Sequence, residues 1–368
     1  MRVLQESLKI GELATGQDLS IPIFKLKAKQ ASGPSVYIQA NVHGAEVQGN
    51  AVIYQLMKRL EQYSICGDIT LVPLANPLGI NQKSGEFTLG RFDPITGVNW
   101  NREYLAHDID LVAWYQDHLT LDDKALISAY KNRLLESCQS RLQSEWGITT
   151  GHQQAVILQS MAHQADIVLD LHTGPKSCKH LYCPQYDVQA ASYFSIPYTL
   201  LVPNDFGGAM DESIFCPWWQ LSEHMKSTGR EMSVPISAFT LELGSQENIH
   251  LEDALVDATG ILAYLSHRGV ISEKVEPADM PRYACHLKDY KKYHSPLGGM
   301  VEYLAKVGEP LAAGEPLANI LRLDLYGSNK ALTPLKLAQD SIPILHFASA
   351  SVYQGTELYK VMTKVFAL

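Results

Sequence analysis

The run Tyr37-Ile38-Gln39-Ala40-Asn41-Val42-His43-Gly44-Ala45-Glu46 constrains the chain most: an apolar strand-forming segment ends at Asn41, and a helical pattern begins at Glu46. Val47, Ala51, Tyr54 and Met57 recur on one face of that helix. His43 and Glu46 therefore fall in a strand-to-helix turn, where Gly44 lets the backbone fold tightly. An imidazole and a carboxylate can then converge on one point. A divalent metal fits such a point, since zinc takes nitrogen from His and oxygen from Glu. A catalytic zinc keeps three protein ligands and a water, so a third ligand must come from elsewhere in the chain.

Three further apolar runs support an α/β reading. Ile69-Thr70-Leu71-Val72 follows the first helix, and strand, helix, strand implies a parallel pair with a right-handed crossover. Ile167-Val168-Leu169-Asp170-Leu171 ends in His172, the candidate third ligand, because sites in open parallel sheets form beyond the carboxyl ends of strands. Ala238-Phe239-Thr240-Leu241-Glu242-Leu243-Gly244 carries one carboxylate in an apolar strand, where an unpartnered charge is costly. Between these lie a long loop from Leu78 to Tyr104 carrying Arg91, Asn99, Asn101 and Arg102, and mostly helical chain from 109 to 164. There Thr120 with Asp123, and Thr150 with Gln153, read as helix starts, and Ile127, Tyr130, Leu134 and Cys138 as one helical face. Residues 1–36 read as antiparallel edge strands, Ser195–Val202 as a weaker strand, and the stretch with Gly207-Gly208 and Trp218-Trp219 as a loop. Leu251, Leu255, Ala258, Leu262 and Leu265 mark a last helix stopping at Gly269.

At 368 residues, with 46% hydrophobic and 19% charged, the chain can bury a large core and partitions into a large domain and a small one. A net charge of -9 argues against nucleic acid and anionic membrane as partners, and no run approaches membrane-spanning length. The N-terminus lacks the apolar stretch of a signal peptide, so a cytoplasmic location is expected. The six cysteines are too scattered for a disulfide framework, and Cys178 to Cys183 lacks the tight pair spacing of structural zinc sites.

Singly, each of these residues has a structural explanation: a hydrogen-bonded strand-end His, a first-turn Glu, a solvated loop Arg. Together, His43-Gly44-Ala45-Glu46, Asn101-Arg102, Asp170-Leu171-His172 and Glu242-Leu243-Gly244, in that order, resemble the zinc carboxypeptidase superfamily, and within it the succinylglutamate desuccinylase/aspartoacylase branch. The resemblance implies one Zn2+ held by His43, Glu46 and His172, with Glu242 as the carboxylate that works on the attacking water. It also implies Asn101 and Arg102 on the substrate carboxylate and Arg91 on the oxyanion, although the loop Phe92 to Asn101 is longer than the branch's usual one. Asp170 is a candidate acceptor for a ligand imidazole, and Arg230 is weighed as a further site arginine and not included.

Short strands split by Gly turns after residue 283 resemble the first half of a biotinyl/lipoyl barrel. The modified lysine is missing, with Lys330 nearby out of context, so a barrel without carrier function, roofing the site, is expected. The expected fold is thus α/β: a mixed, mostly parallel central sheet flanked by helices, zinc carboxypeptidase-like (1–275), with a small C-terminal all-β barrel-like domain (283–368). The expected function is a zinc-dependent amidohydrolase acting on a small-molecule N-acyl amino acid, with self-association left open. A metallocarboxypeptidase for peptides or cell-wall fragments and a non-catalytic binding protein with a degenerate site are the alternatives.

Overall fold

The structure is a computed structural model and describes residues 2–368. The main sheet and its helices run β1 (Arg2–Glu12), β2 (Asp18–Lys27), β3 (Val36–Ala40), α1 (Gln48–Leu60), β4 (Ile69–Val72), α2 (Leu111–Asp117), α3 (Asp123–Leu142), α4 (Thr150–Ala162), β5 (Ile167–Gly174), β6 (His180–Pro184), β7 (Tyr198–Val202), α5 (Met210–Ser227), β8 (Ser237–Ser245), α6 (Leu251–His267), β9 (Tyr283–His286) and β10 (Phe366–Ala367). The ten strands lie in the order β1-β2-β4-β3-β5-β8-β6-β7-β9-β10. β3 pairs parallel with β4 and β5, and β5 with β8, while β1 and β2 add an antiparallel edge, as the N-terminal pattern suggested.

Every residue of β3 and of β5 is buried, as expected of strands covered on both faces. Alternate residues serve opposite cores. Val36, Ile38, Ile167, Leu169 and Leu171 pack with α1 and α6, while Tyr37 and Val168 face Tyr130, Leu134 and Trp218 from the helices on the other side.

Three local readings shift. α1 begins at Gln48, and its buried residues are Gln48, Gly49, Ala51, Val52, Ile53, Leu56 and Leu60, so Ala51 of the expected face is in the core and Met57 packs against it. Tyr54, placed on the core face by the expected phase, is 52% exposed. The caps are Asp122, accepting from Ala125 N and two residues after the expected Thr120, and Thr149, accepting from His152 N and one residue before the expected Thr150. α5 lies where a loop was expected, because Pro217 sits inside the helix and helix-interior proline ordinarily signals a break.

The C-terminal strands form two four-stranded antiparallel sheets around Val301, Leu317, Ile320, Leu358 and Val361. The two parts of the chain exchange strands: Lys176–Ser177 pairs with Ile342–His346 through Leu345↔Ser177, and β10 returns to pair with β9.

Trp218 is 1% exposed and meets Tyr130 edge-to-face at 5.1 Å. Trp218→Ala opens a large cavity at this junction. It is expected to lower the unfolding free energy by about 3–5 kcal/mol, read as a lower urea midpoint at unchanged slope.

Candidate metal centre and cavity

The ligand turn is built by Asn41, not by a left-handed glycine. Asn41 has φ 66°, a conformation Asn tolerates better than most residues, and its amide donates to the carbonyls of His43 (3.1 Å) and Gly44 (3.2 Å). Gly44 is needed for close approach instead. A Cβ there would stand 2.0 Å from the Gly79 carbonyl oxygen, and a Cβ on Gly90 would meet the same oxygen at 2.0 Å. Gly44 N also donates to Gly90 O at 2.7 Å. Three glycine backbones thus clamp the turn of His43 and Glu46 against the loop that continues into Arg91, Asn99, Asn101 and Arg102.

His172 comes from β5, and Glu242 lies directly across from it in β8. His43 Nδ1 is 2.9 Å from Glu46 Oε1, and His172 Nδ1 is 2.8 Å from Glu46 Oε2. Thr173 N donates to Oε2 at 3.0 Å, and Arg91 donates to Oε1 at 2.9 Å. The outer ring nitrogens are held as well. His43 Nε2 lies 2.8 Å from Asn99 Oδ1, an oxygen that also accepts from Asn101 N, and His172 Nε2 lies 2.8 Å from Asp170 Oδ2.

These contacts test whether a metal fits. Asn99 Oδ1 and Asp170 Oδ2 are acceptors, so each ring carries a hydrogen on Nε2, and without an ion, against its burial, Asp170 and Glu46 hold His172 well above the usual imidazole range, so that a proton stands in on its Nδ1. Each Nδ1 then faces a carboxylate oxygen at hydrogen-bond distance, a pairing that needs a proton or a cation between the two atoms. One donor atom each from His43, Glu46 and His172 falls within 4.8 Å of the others, and all three residues are buried. Two nitrogens and one oxygen, each oriented from outside, suit zinc.

His43, His172, Arg91, Asn101, Arg102 and Glu242 line one cavity of about 500 Å³, with Glu46 just behind. The seven residues singled out in the sequence are therefore together. Arg230 is elsewhere, donating to Asp123. Glu242 Oε2 is buried without a partner. Burial first, then the nearby charge of Glu46, push the Glu242 carboxyl up to about 7. Burial alone would raise Glu46 too, but the two imidazoles hold it well below the usual carboxylate range.

The sequence reading assigned no role to several cavity residues. Asn99 was noted only as part of the loop. Asp211 on α5 is buried, and desolvation and its neighbour Glu212 push it up to about 7. Leu345, Phe347, Ala348, Glu357 and Lys360 reach the cavity from the C-terminal sheets, and nothing in their local sequence distinguishes them from ordinary strand residues.

An α/β sheet with a buried His/Glu/His cluster at the carboxyl ends of its strands is the class that this geometry defines. The family model described as the succinylglutamate desuccinylase/aspartoacylase catalytic domain matches residues 32–268, and the chain belongs to that family. Solved structures of two such family proteins resemble it throughout. One, from Shewanella frigidimarina, is 69% identical with a TM-score of 0.98, covering 99% of this chain and 98% of that one. The other, from Shewanella amazonensis, is 69% identical with a TM-score of 0.97, covering 99% of this chain and 100% of that one. A curated relative from Halomonas elongata, N-alpha-acetyl-L-2,4-diaminobutyric acid deacetylase, is 22% identical over 354 residues, 92% of this chain and 85% of that protein. Among the described residues no helix is long and apolar enough to cross a membrane.

Gly44→Ala drives a methyl group into the Gly79 backbone. It is expected to cost about 1–3 kcal/mol and to weaken metal binding, checked by thermal melting and by zinc titration of the same preparation.

Proposed function

We propose that the protein is a zinc-dependent hydrolase that cleaves the amide bond of an N-acylated amino acid or similar small carboxylate. The observation that carries this reading is the pair of Nδ1 atoms facing the two oxygens of Glu46 beside a carboxylate, Glu242, that has one oxygen buried and unpartnered. Family membership and the deacetylase named above support the same class of reaction.

His43, Glu46 and His172 would hold the ion. When bound, zinc polarises a carbonyl as a Lewis acid and lowers the pKa of water to about 7. Glu242 takes the proton of the attacking water and delivers it to the departing amine, general acid-base help worth roughly a hundred- to ten-thousandfold. Arg91 is 45% exposed at its side chain although it contacts Glu46, so it can also meet the oxyanion that develops on the carbonyl. Arg102, beside Asn101, presents a planar fork that suits a substrate carboxylate. Asp170 holds the His172 ring through Nε2, and Gln39 in turn donates to Asp170 Oδ1 at 2.9 Å.

Residues 283–368 act as a roof in this reading. The cavity walls from Leu345, Phe347 and Lys360 favour a small substrate over a polypeptide that must run through the site, which counts against the carboxypeptidase alternative. A cytoplasmic location suits the same small-molecule chemistry.

The test is a panel of N-acetyl, N-succinyl and N-formyl amino acids set against peptides. Hydrolysis of one or more of the former, lost on chelation and restored by zinc, is the expected outcome; cleavage of peptides alone overturns the substrate class. Glu242→Gln is expected to lower kcat by roughly a hundred- to ten-thousandfold with KM and zinc content little changed. His43→Ala is expected to lose the metal itself, seen by elemental analysis.

A further inference from the structure

A second group of donors lies behind the Asn101–Arg102 turn, away from the cavity. We propose that His107, Cys138 and His163 form a second cation site, for an ion of the zinc type, which pins the segment following Arg102 to α3 and α4.

The three residues arrive from separate places. His107 lies in the extended segment between the Trp100–Arg102 turn and α2, Cys138 is on α3, and His163 is the C-terminal cap of α4. One donor atom from each lies within 4.8 Å of the other two. The two rings aim Nε2 at Nε2, 2.8 Å apart, with centroids at 4.9 Å. Cys138 is 0% and His163 2% exposed. Bond lengths of about 2.0–2.1 Å to nitrogen and 2.3 Å to sulfur put donors around one zinc roughly 3.3–3.8 Å apart, so small adjustments bring all three onto one ion.

The surroundings prepare this geometry. Gln159 accepts from Leu105 N (2.8 Å) and donates to Leu105 O (3.0 Å), which fixes both its amide orientation and the path of the segment reaching His107. Its Nε2 stands 3.2 Å from His107 Nε2 and 3.5 Å from His163 Nε2, so it presents a hydrogen, not a lone pair, to the two rings. Without an ion the rings share a hydrogen bond, and whichever donates, both Nδ1 atoms stay buried and unpartnered. Burial, and then the charge of Arg133, bring the His107 ring down to about 4; burial, with His107 and Lys131 adding to it, holds His163 well below the usual imidazole range. Both rings are therefore neutral, and each offers an Nε2 lone pair to an ion once its single hydrogen sits on Nδ1. Burial alone pushes the Cys138 thiol up to about 12, so binding must expel its proton: Cys–SH and a dication give the metal thiolate and one H+ to solvent. The thiolate charge offsets the dication beside Arg133 and Lys131. Two imidazoles and a thiolate, with no carboxylate, select zinc-like ions over magnesium or calcium.

Sulfur makes the test specific, because the His43/Glu46/His172 set offers only nitrogen and oxygen. The metal-free full-length protein is titrated with Co2+ and watched for the thiolate-to-cobalt charge-transfer band in the near ultraviolet. The band is expected in the wild type and in the His43→Ala/His172→Ala double variant, and its loss in Cys138→Ser. Zinc content is expected to fall from two equivalents to one in either variant. If Cys138→Ser does not fold, His107→Gln, on a partly exposed segment, is expected to remove the band and the second equivalent while circular dichroism stays native. No band in the wild type, a band that survives both single substitutions, or a single equivalent abolished by the double variant overturns the site and leaves a hydrogen-bonded His pair beside a core cysteine.

Discussion

A carboxylate as deeply buried as that of Glu46, 1% exposed, cannot persist in a protein interior without positive or hydrogen-bonding partners on both oxygens. Each partner comes from a different part of the chain: His43 from the turn after β3, His172 and Thr173 N from the end of β5, Arg91 from the loop beyond β4. Placing Glu46 therefore fixes how those three segments meet. The parallel register does most of the placing, since Gln39 lies opposite Asp170 and His172 opposite Glu242. Three neighbouring strands end at the same level, and their last polar side chains share one volume.

Behind the ligands runs a buried polar chain. Tyr37 donates its hydroxyl hydrogen to Gln39 Oε1 (2.9 Å), Gln39 donates to Asp170 Oδ1, and Asp170 Oδ2 accepts from His172 Nε2. Gln39, Asp170 and Tyr37 are each 0% exposed, so any break leaves a polar group unpaired where water does not replace it, at a cost of about 1–3 kcal/mol. This chain lies on the sheet itself, which makes the orientation of His172 a property of the most rigid part of the fold. His43 has a softer support. Asn99 belongs to a loop, and its oxygen is steadied mainly by the backbone N–H of Asn101.

What the sequence disclosed follows from the kind of interaction involved. The ligand strands were legible because a strand buried on both faces must be apolar almost throughout, which makes His172 and Glu242 conspicuous at their ends. The helix 210–227 was not, because Pro217 removes one backbone donor but the rest of the helix is carried by Ile214, Phe215, Trp218, Leu221 and Met225 packing into the core. Local propensity lost there to tertiary burial. The phase of α1 was misjudged for the opposite reason. The missing Cβ of Gly49 lets the helix approach Ala40 and Leu171, to which a Cβ would stand at 2.9 Å. That approach fixes which stripe faces the sheet. Asn99 and Lys360 could not be read because each acts through a contact formed only after distant segments have docked.

The roof depends on the same docking. Lys176–Ser177 follows the ligand strand almost at once, and by pairing with Leu345 and His346 it ties the C-terminal sheet to the end of β5. Phe347 and Ala348, just beyond that paired segment, then fall over the cavity. Lys360 and Glu357 reach it from the adjoining strand, 3.4 Å from each other, with Glu357 also 3.1 Å from Lys292. That pairing, with β9 and β10 in the main sheet and Tyr198 donating to Gly308 O, fixes where these residues stand above the ligands. A cavity of about 500 Å³ lies within the ordinary range for small-molecule sites. Under the proposed function, the walls that meet the substrate from residues 345–360 thus come from a different part of the chain than the groups proposed to do the chemistry.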